Sequence, residues 1–464
     1  MQECRRPRIC LNVLRDVDAS TGQEVRRQLQ SGGIDATGDS DNAGWVAEVV
    51  VCRRPGEPAL TAVRNAALRR VARIVIISTG GWDGERSVWQ LLQAGAADVL
   101  EWDRRRTAFT AACLAARLQR WCEVDTLVES TQVRDRLVGR SAVWIDAVRD
   151  VVEVAALPEV SVLITGESGT GKELAARLIH DLDPRPDKQE LVLLDCTTIV
   201  PTLSGSEFFG HERGAFTDAV TARDGAFGEA DRGTLFLDEL GDLSPGLQAE
   251  LLRVVQEGMY KRVGSSLWRH TRFRLICATN RDLRDEVARG RFRSDLYHRL
   301  AAWTVRLPSL RERPEDIPHL ANFFLRQVCP GVRDPSFERA VLDVLQRRDY
   351  PGNARELRQL VSRISGRHVG PGPITVGDLP PEERPCEDQP VAEWRDDALA
   401  GCVRRALAGN ATLREIRKAA EDVAIAVALA ECGGSVRRAS RQLHVTERAL
   451  QMRRAAARKR EEAS

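Results

Sequence analysis

The stretch GESGTGK, residues 166–172, spaces three glycines along a run that ends in lysine. Gly166, Gly169 and Gly171 permit backbone conformations that aim N–H groups at a phosphate. Glu167, Ser168 and Thr170 are carried between them, and Lys172 adds a point charge for the outer phosphates. Apolar residues precede the run (SVLIT, 161–165) and an amphipathic stretch follows it (ELAARLIH, 173–180), so the glycines sit where a strand turns into a helix. The helix start adds a dipole that favours anions. The short pattern alone also fits a plain glycine turn, and the strand and helix around it decide for phosphate binding. The next residue is Glu173, where the general pattern has a Ser or Thr for magnesium.

A second set of residues could act on a bound phosphate anhydride. TLFLDE (234–239) is an apolar strand with acids at its end. Asp238 would hold magnesium, directly or through water, and Glu239 would orient and activate the attacking water. Standing alone, the segment reads equally well as a strand ending in a solvated acidic turn. RLICATN (274–280) is another apolar strand with a polar end, where Thr279 and Asn280 could read a terminal phosphate or position the water. Asn280, before RDLRDEV, also suits a helix N-cap. RGRFRSDLYHRL (289–300) is dense in arginine. Arg293 and Arg299 are candidates to reach a nucleotide on a neighbouring subunit, where an arginine in trans is worth about 10³–10⁵ in rate. The bland reading is a solvated helix face.

Such residues need a parallel sheet that gathers them at the C-terminal ends of its strands. The 464 residues, 43% of them hydrophobic, suffice for about two to four domains. The net charge is only +2, so any surface for nucleic acid has to be local. Eleven scattered cysteines without a C-x-x-C pair argue against a disulfide framework or a zinc site and for a reducing, cytoplasmic setting. There is no signal-peptide pattern, and no run of about 18 apolar residues to span a membrane. Within residues 1–125, ICLNVL (9–14), WVAEVVVC (45–52) and RIVIIS (73–78) read as buried parallel strands, and VWQLLQAGAADVLEW (88–102) as helix, glycine turn and strand. A helical linker is expected at 126–137, a second α/β region at 138–308 and a helical region at 309–368. A Pro-, Gly- and acid-rich linker should follow at 369–415, and a helical segment at 416–464.

GESGTGKE, FFGHERGAFTDA (208–219), GTLFLDELGDLSPGLQAELLRVVQEG (233–258), ATNRDL, GRFRSDLYHRL, LPSLRERPEDIPHL and YPGNARELRQL occur in this order. Over roughly 138–368 the chain thereby resembles the NtrC-type, sigma-54-dependent transcriptional activators, bacterial enhancer-binding proteins of the AAA+ class. The resemblance implies an ATPase that uses ATP and Mg2+ and assembles as a ring, usually a hexamer, with a dimer expected at rest. Glu173 is usual in that family. On the matching positions, Gly166 to Glu173 bind phosphate, Asp238 and Glu239 are the acidic pair, and Asn280 is the first sensor. Arg293 and Arg299 are presented to the neighbouring subunit, and Arg355 is the second sensor, carried by the lid. The resemblance also makes Gly214, Ala215, Phe216, Thr217, Asp218 and Ala219 a loop tip that touches sigma-54, with Phe216 as the apolar contact. A β-turn tucking Phe216 into the core is the plain alternative. Two positions depart from the family pattern. Asp218 stands where relatives usually have Gly. Asp195 stands where they usually have an Asn thought to restrain the catalytic glutamate, and an acid there could repel Glu239.

The segment 424–460 looks like a Fis-type helix-turn-helix, with Thr446 capping a recognition helix that starts near Glu447. Arg437, Arg438, Arg448, Arg453 and Arg454, with Gln451 among them, make a local basic footprint suited to double-stranded DNA at an upstream enhancer site. A solvated amphipathic helix is the plain alternative. Residues 1–125 resemble a receiver domain in outline but lack its chemistry. Cys52 and Arg53 stand where the third strand should end in Asp, Glu101 and Trp102 stand where a Lys is expected, and the early acids are absent unless Asp16 and Asp18 serve. The expectation is a multidomain α/β chain: a degenerate receiver-like domain, an AAA+ P-loop ATPase with a helical lid, and an all-α helix-turn-helix. It would be a cytoplasmic activator that binds upstream DNA and uses ATP hydrolysis to remodel the closed complex of sigma-54 RNA polymerase. The alternative is a nucleotide-gated DNA-binding regulator that no longer engages sigma-54. A remodelling chaperone fits less well, having no need of a DNA address.

Overall fold

The computed structural model describes residues 7–37, 45–68, 73–82, 85–103, 105–198, 204–217, 219–330, 335–370, 372–384, 397–408, 411–432, 435–443 and 445–447. The chain forms two compact units, Met1–Glu383 and Arg384–Ser464.

The first unit opens with β1 (Arg8–Val13), α1 (Ala19–Ser31), β2 (Asp35–Thr37), β3 (Ala47–Cys52), α2 (Glu57–Leu68), β4 (Ile74–Ser78), α3 (Glu85–Gln93) and β5 (Asp98–Glu101). The strands are parallel in the order β2-β1-β3-β4-β5, so the winding reverses between β1 and β3. Every residue of β3 and β4 is buried, including Glu48 and Ser78, as strands must be when helices cover both faces of a sheet. At the end of β3, Cys52 is fully buried, and burial with the nearby charge of Asp16 pushes its thiol up to about 12. Asp16 accepts a hydrogen bond from the Arg53 amide at 3.0 Å.

The next helix, α4 (Thr107–Val128), runs straight through position 125, because no Gly or Pro lies between its ends to stop it. Its first half packs Ala111, Leu114 and Leu118 into the core of the N-terminal sheet; Val124 and Val128 belong to the core of the next region. A short α5 (Thr131–Arg134) leads into α6 (Ala142–Ala155). Asp125 of α4 accepts from Arg73 at 2.6 Å and from Arg149 of α6 at 2.9 Å, tying both sides together.

The second sheet is built from β6 (Val162–Thr165), β7 (Leu191–Asp195), β8 (Thr234–Asp238), β11 (Arg274–Thr279) and β12 (Trp303–Arg306), parallel in the order β12-β6-β11-β8-β7. Between these strands lie α7 (Lys172–Asp181), α8 (Ser204–Phe209), α9 (Ala226–Glu229), α10 (Pro245–Glu257), α11 (Leu283–Ala288) and α12 (Ser294–Leu300), with a small hairpin of β9 (Met259–Tyr260) and β10 (Arg269–His270). Apolar residues fill the strands and polar ones end them. Register sets Thr279 beside Thr165 and Asp195 beside Asp238, so the reactive residues share one edge.

The lid consists of α13 (Ile317–Val328), α14 (Arg339–Arg347) and α15 (Asn353–Arg367). The segment from 369 onward departs from the expected free linker: Ile374 and Leu379 enter the lid core. Its prolines and glycines shape turns around two apolar anchors instead of loosening the chain. In the second unit, α16 (Asp397–Ala408) also falls inside the expected linker, followed by α17 (Leu413–Glu431) and α18 (Val436–Gln442). Ala428 and Ala439 centre the small contact between α17 and α18.

Candidate active site

The three P-loop glycines adopt the left-handed or mirror-extended backbone that side chains resist, with φ of +159° at Gly166, +78° at Gly169 and +105° at Gly171. Gly171 ends the turn, and α7 starts at Lys172 without a side-chain cap, which leaves its first amides facing outward as anion donors. Lys172 is only 6% exposed. Its ammonium donates to the carbonyls of Gly166 at 3.0 Å and Glu167 at 3.4 Å, and to Glu239 Oε1 at 3.3 Å.

Glu239 follows β8 with φ of +49°, a strained value for a residue with a side chain. This turn brings its second carboxylate oxygen to the Asn280 amide, which donates at 3.1 Å. Asp238 accepts from the Glu239 amide at 3.0 Å. Burial, joined by the neighbouring Glu239 charge, raises the Asp238 carboxyl above its ordinary value; Lys172 partly offsets this. Asp195 accepts within its own loop, from the Thr197 amide at 2.9 Å and hydroxyl at 2.7 Å. Its charge adds to the upward push on Asp238.

Asn280 does not cap the helix that follows. That helix starts later, at Leu283, and its cap is Asp282, which accepts from the Arg284 and Asp285 amides. Arg293 precedes α12 and pairs with Asp295 in its own first turn, at 3.0 and 2.6 Å. Arg299 is exposed and lines a cleft of about 1220 Å³, together with Arg185, Lys188 and Arg272. The cleft lies along the N-terminal ends of the strands, opposite the P-loop edge. Within one chain, then, Lys172, Glu239 and the Asn280 amide converge, and the two arginines do not join them.

The lid meets the P-loop directly. Arg355 donates to the Ser168 hydroxyl at 3.4 Å. Two further residues belong to this contact. Arg311 grips the Glu167 carboxylate with both guanidinium nitrogens and holds it below the usual carboxylate range. Asn353 donates to Glu167 at 3.2 Å and to the Ser168 carbonyl at 3.0 Å. Both stood in segments quoted for the family resemblance, yet nothing in their spacing from residue 167 pointed to a shared contact.

The loop at 214–219 closes on itself through Gly214 N–H to Ala219 O at 2.8 Å and Ala219 N–H to Phe216 O at 3.0 Å. Phe216 is 37% exposed, its ring edge-on to His211 at 4.9 Å, so it lies on the surface and not in the core. Arg262 of the β9–β10 hairpin bonds Glu212 at 3.2 Å and also Asp224, clamping the base of the loop from both sides. Asp218 lies outside the described residues. In the second unit, Arg437 and Arg438 are exposed on α18, and Thr446 immediately precedes the helical residue Glu447. Arg448, Gln451, Arg453 and Arg454 lie outside the described residues. Among the described residues no helix is long and apolar enough to cross a membrane, and no cluster of three or more His, Cys, Asp and Glu gathers to hold a metal.

Comparison with known proteins gives a consistent result. The profile described as "Sigma-54 interaction domain" matches residues 137–306, and that described as "AAA+ ATPase lid domain" matches 311–394. The transcriptional regulatory protein ZraR of Klebsiella oxytoca is 39% identical over 338 residues, covering 70% of this chain and 75% of that protein. The anaerobic nitric oxide reductase transcription regulator NorR of Aeromonas salmonicida is 44% identical over 263 residues, covering 56% and 51%. Among solved structures, NtrX of Brucella abortus in complex with ATP is 26% identical, covering 96% of this chain and 98% of its own, with a TM-score of 0.49.

Proposed function

The chain belongs to the NtrC-type, sigma-54-dependent transcriptional activators, and on that premise we propose how its residues divide the work. Its AAA+ domain is an ATPase that binds ATP, and the chain engages sigma-54 to activate transcription. The amides of 166–172 and Lys172 take the phosphates, with Glu173 in the first turn behind them. Asp238 would hold Mg2+, which would supply charge to neutralise the phosphates. Its carboxyl, pushed up by burial and by Glu239, is one whose ionised form a divalent cation would stabilise. One or two carboxylates plus phosphates is the usual magnesium set. Glu239 takes the proton of the attacking water, and Asn280 orients that water. Arg355 reads the phosphates from the lid.

The convergence of Lys172, Glu239 and the Asn280 amide carries this reading. A base already poised by the phosphate-binding lysine and by the adjacent strand end can respond when the terminal phosphate enters. Arg293 and Arg299 act in trans on the nucleotide of the next subunit in a hexameric ring, formed from resting dimers. The Gly214–Ala219 loop, Asp218 included, meets sigma-54 with Phe216 at its tip. Residues 1–125 form the regulatory module, 138–308 the ATPase with its lid from 309, and 416–464 the DNA-binding segment. There Arg437, Arg438, Thr446, Arg448, Gln451, Arg453 and Arg454 face an upstream double-stranded site. The protein acts in the cytoplasm.

The test is open-complex formation by sigma-54 RNA polymerase with purified protein and ATP on a promoter carrying the upstream site. Wild type opens it. Glu239→Ala binds ATP but hydrolyses it about 10²–10⁴-fold more slowly, the usual contribution of a general base, and opens nothing. Phe216→Ala hydrolyses ATP and still opens nothing. A wild type that hydrolyses ATP without opening would sink the loop assignment and leave the nucleotide-gated DNA binder.

A further inference from the structure

We propose that Asn353 is a positioning residue of the ATPase: its carboxamide fixes the P-loop against the helical lid, so that a nucleotide held at 166–172 also meets Arg355. The inference rests on the P-loop reading given above. Asn353 is fully buried and holds a left-handed backbone, φ +51°, at the first residue of α15. Few residues with side chains adopt that conformation, and Asn is among those that tolerate it best. Its side-chain oxygen accepts from the Leu310 amide at 2.7 Å. Its side-chain nitrogen donates to Glu167 Oε2 at 3.2 Å, to the Ser168 carbonyl at 3.0 Å and, more weakly, to the Pro351 carbonyl at 3.4 Å. One side chain therefore joins the P-loop, the turn after β12 and the start of the lid helix.

The backbones close in on either side of it. The Ala354 amide donates to the Gly169 carbonyl at 3.1 Å, and a Cβ on Gly169 would lie 2.2 Å from the Gly352 carbonyl oxygen. The crest of the P-loop is thus shaped by the lid, and Asn353 supplies the donors that hold it there. Its bonds go to the loop's own carbonyl and carboxylate, whereas Lys172 and the loop amides are the groups assigned to phosphate. The side chain acts on the nucleotide through the loop it shapes.

The test uses the full chain. Asn353→Asp keeps the size, the turn preference and the oxygen that accepts from Leu310. It replaces the donor with an acceptor facing a carboxylate and two carbonyls. KM for ATP is expected to rise about 10- to 100-fold, the range for buried partners left unmatched, with kcat changed far less. The dissociation constant of a fluorescent ATP analogue should rise in parallel. Adding Glu167→Gln places a donor opposite the new carboxylate and should recover part of the loss, which a residue needed only for folding would not allow. Asn353→Gly accepts the left-handed backbone and removes the same donors, so it gives the same readout where Asn353→Asp does not fold. A folded Asn353→Asp or Asn353→Gly with KM within about twofold of wild type overturns the proposal. Lys172→Ala separates the two readings. If it loses nucleotide while the Asn353 variants do not, only the positioning role falls; if it binds ATP like wild type, the P-loop reading itself falls.

Discussion

Asp316 is 1% exposed and accepts from the Arg140 amide at 2.6 Å, the Ser141 amide at 2.8 Å and the Ser141 hydroxyl at 2.7 Å. Arg313 lies 3.8 Å from it, equally buried, with its guanidinium stacked 3.6 Å over Trp144. Burial lowers that guanidinium to about 10. The acid is the counter-charge that lets an arginine remain ionised against an indole face. Replacing both groups by apolar ones could be nearly neutral, but removing one strands the other. Asp316→Ala should therefore lower the unfolding free energy by about 3–5 kcal/mol, the cost of an uncompensated buried charge, read from urea unfolding of the purified chain. A loss below about 1 kcal/mol, the range of exposed pairs, would mean that Arg313 finds water or another acceptor.

At the scale of elements, the P-loop and the lid behave as one piece. The approach of Gly352 to Gly169 leaves no room for a methyl group, and φ of +78° disfavours one independently. Gly169→Ala should both lower the thermal midpoint of the chain, because a methyl group at positive φ meets the Gly352 carbonyl, and weaken ATP binding, measured by titration with a fluorescent analogue. Unchanged affinity would mean that the lid can withdraw without consequence. This contact marks the limit of what the sequence conveys. The strands β1, β3, β4, β5, β6, β8 and β11 were legible because apolar runs leave little choice, whereas the short β2 (DAT) and β12 (WTVR) carry no such run; the phosphate loop was legible because glycine spacing and a lysine have few other uses. Arg311 and Asn353 were not, since the 144 and 186 residues separating them from Glu167 carry no periodic signal. The same holds for Asp195. Its type gave no sign of the bonds it accepts from the Thr197 amide and hydroxyl. Composition also misled at 369–383, where prolines and glycines hid two core residues, Ile374 and Leu379.

For the whole molecule, the N-terminal parallel sheet is doubly wound in the order β2-β1-β3-β4-β5, and no Asp stands at the end of β3. Cys52 is sealed at the end of β3, and Asp16 is engaged by the Arg53 amide. Acetyl phosphate should therefore add no mass to the intact chain and leave its ATPase rate unchanged. A phosphate adduct within residues 1–125 would refute this. The helix α4 runs from this domain into the ATPase, with Leu114 and Leu118 seated in one core and Val124 and Val128 in the other. Each helical residue turns by about 100°, so the two apolar stripes are fixed in phase. Lengthening α4 by one residue between them would rotate one stripe out of its core, whereas a seven-residue insertion, close to two full turns, would restore the phase and only move the bodies apart. The helix thus works as a shaft keyed at both ends. It can pass on rotation, but its keys tolerate additions only in nearly whole turns.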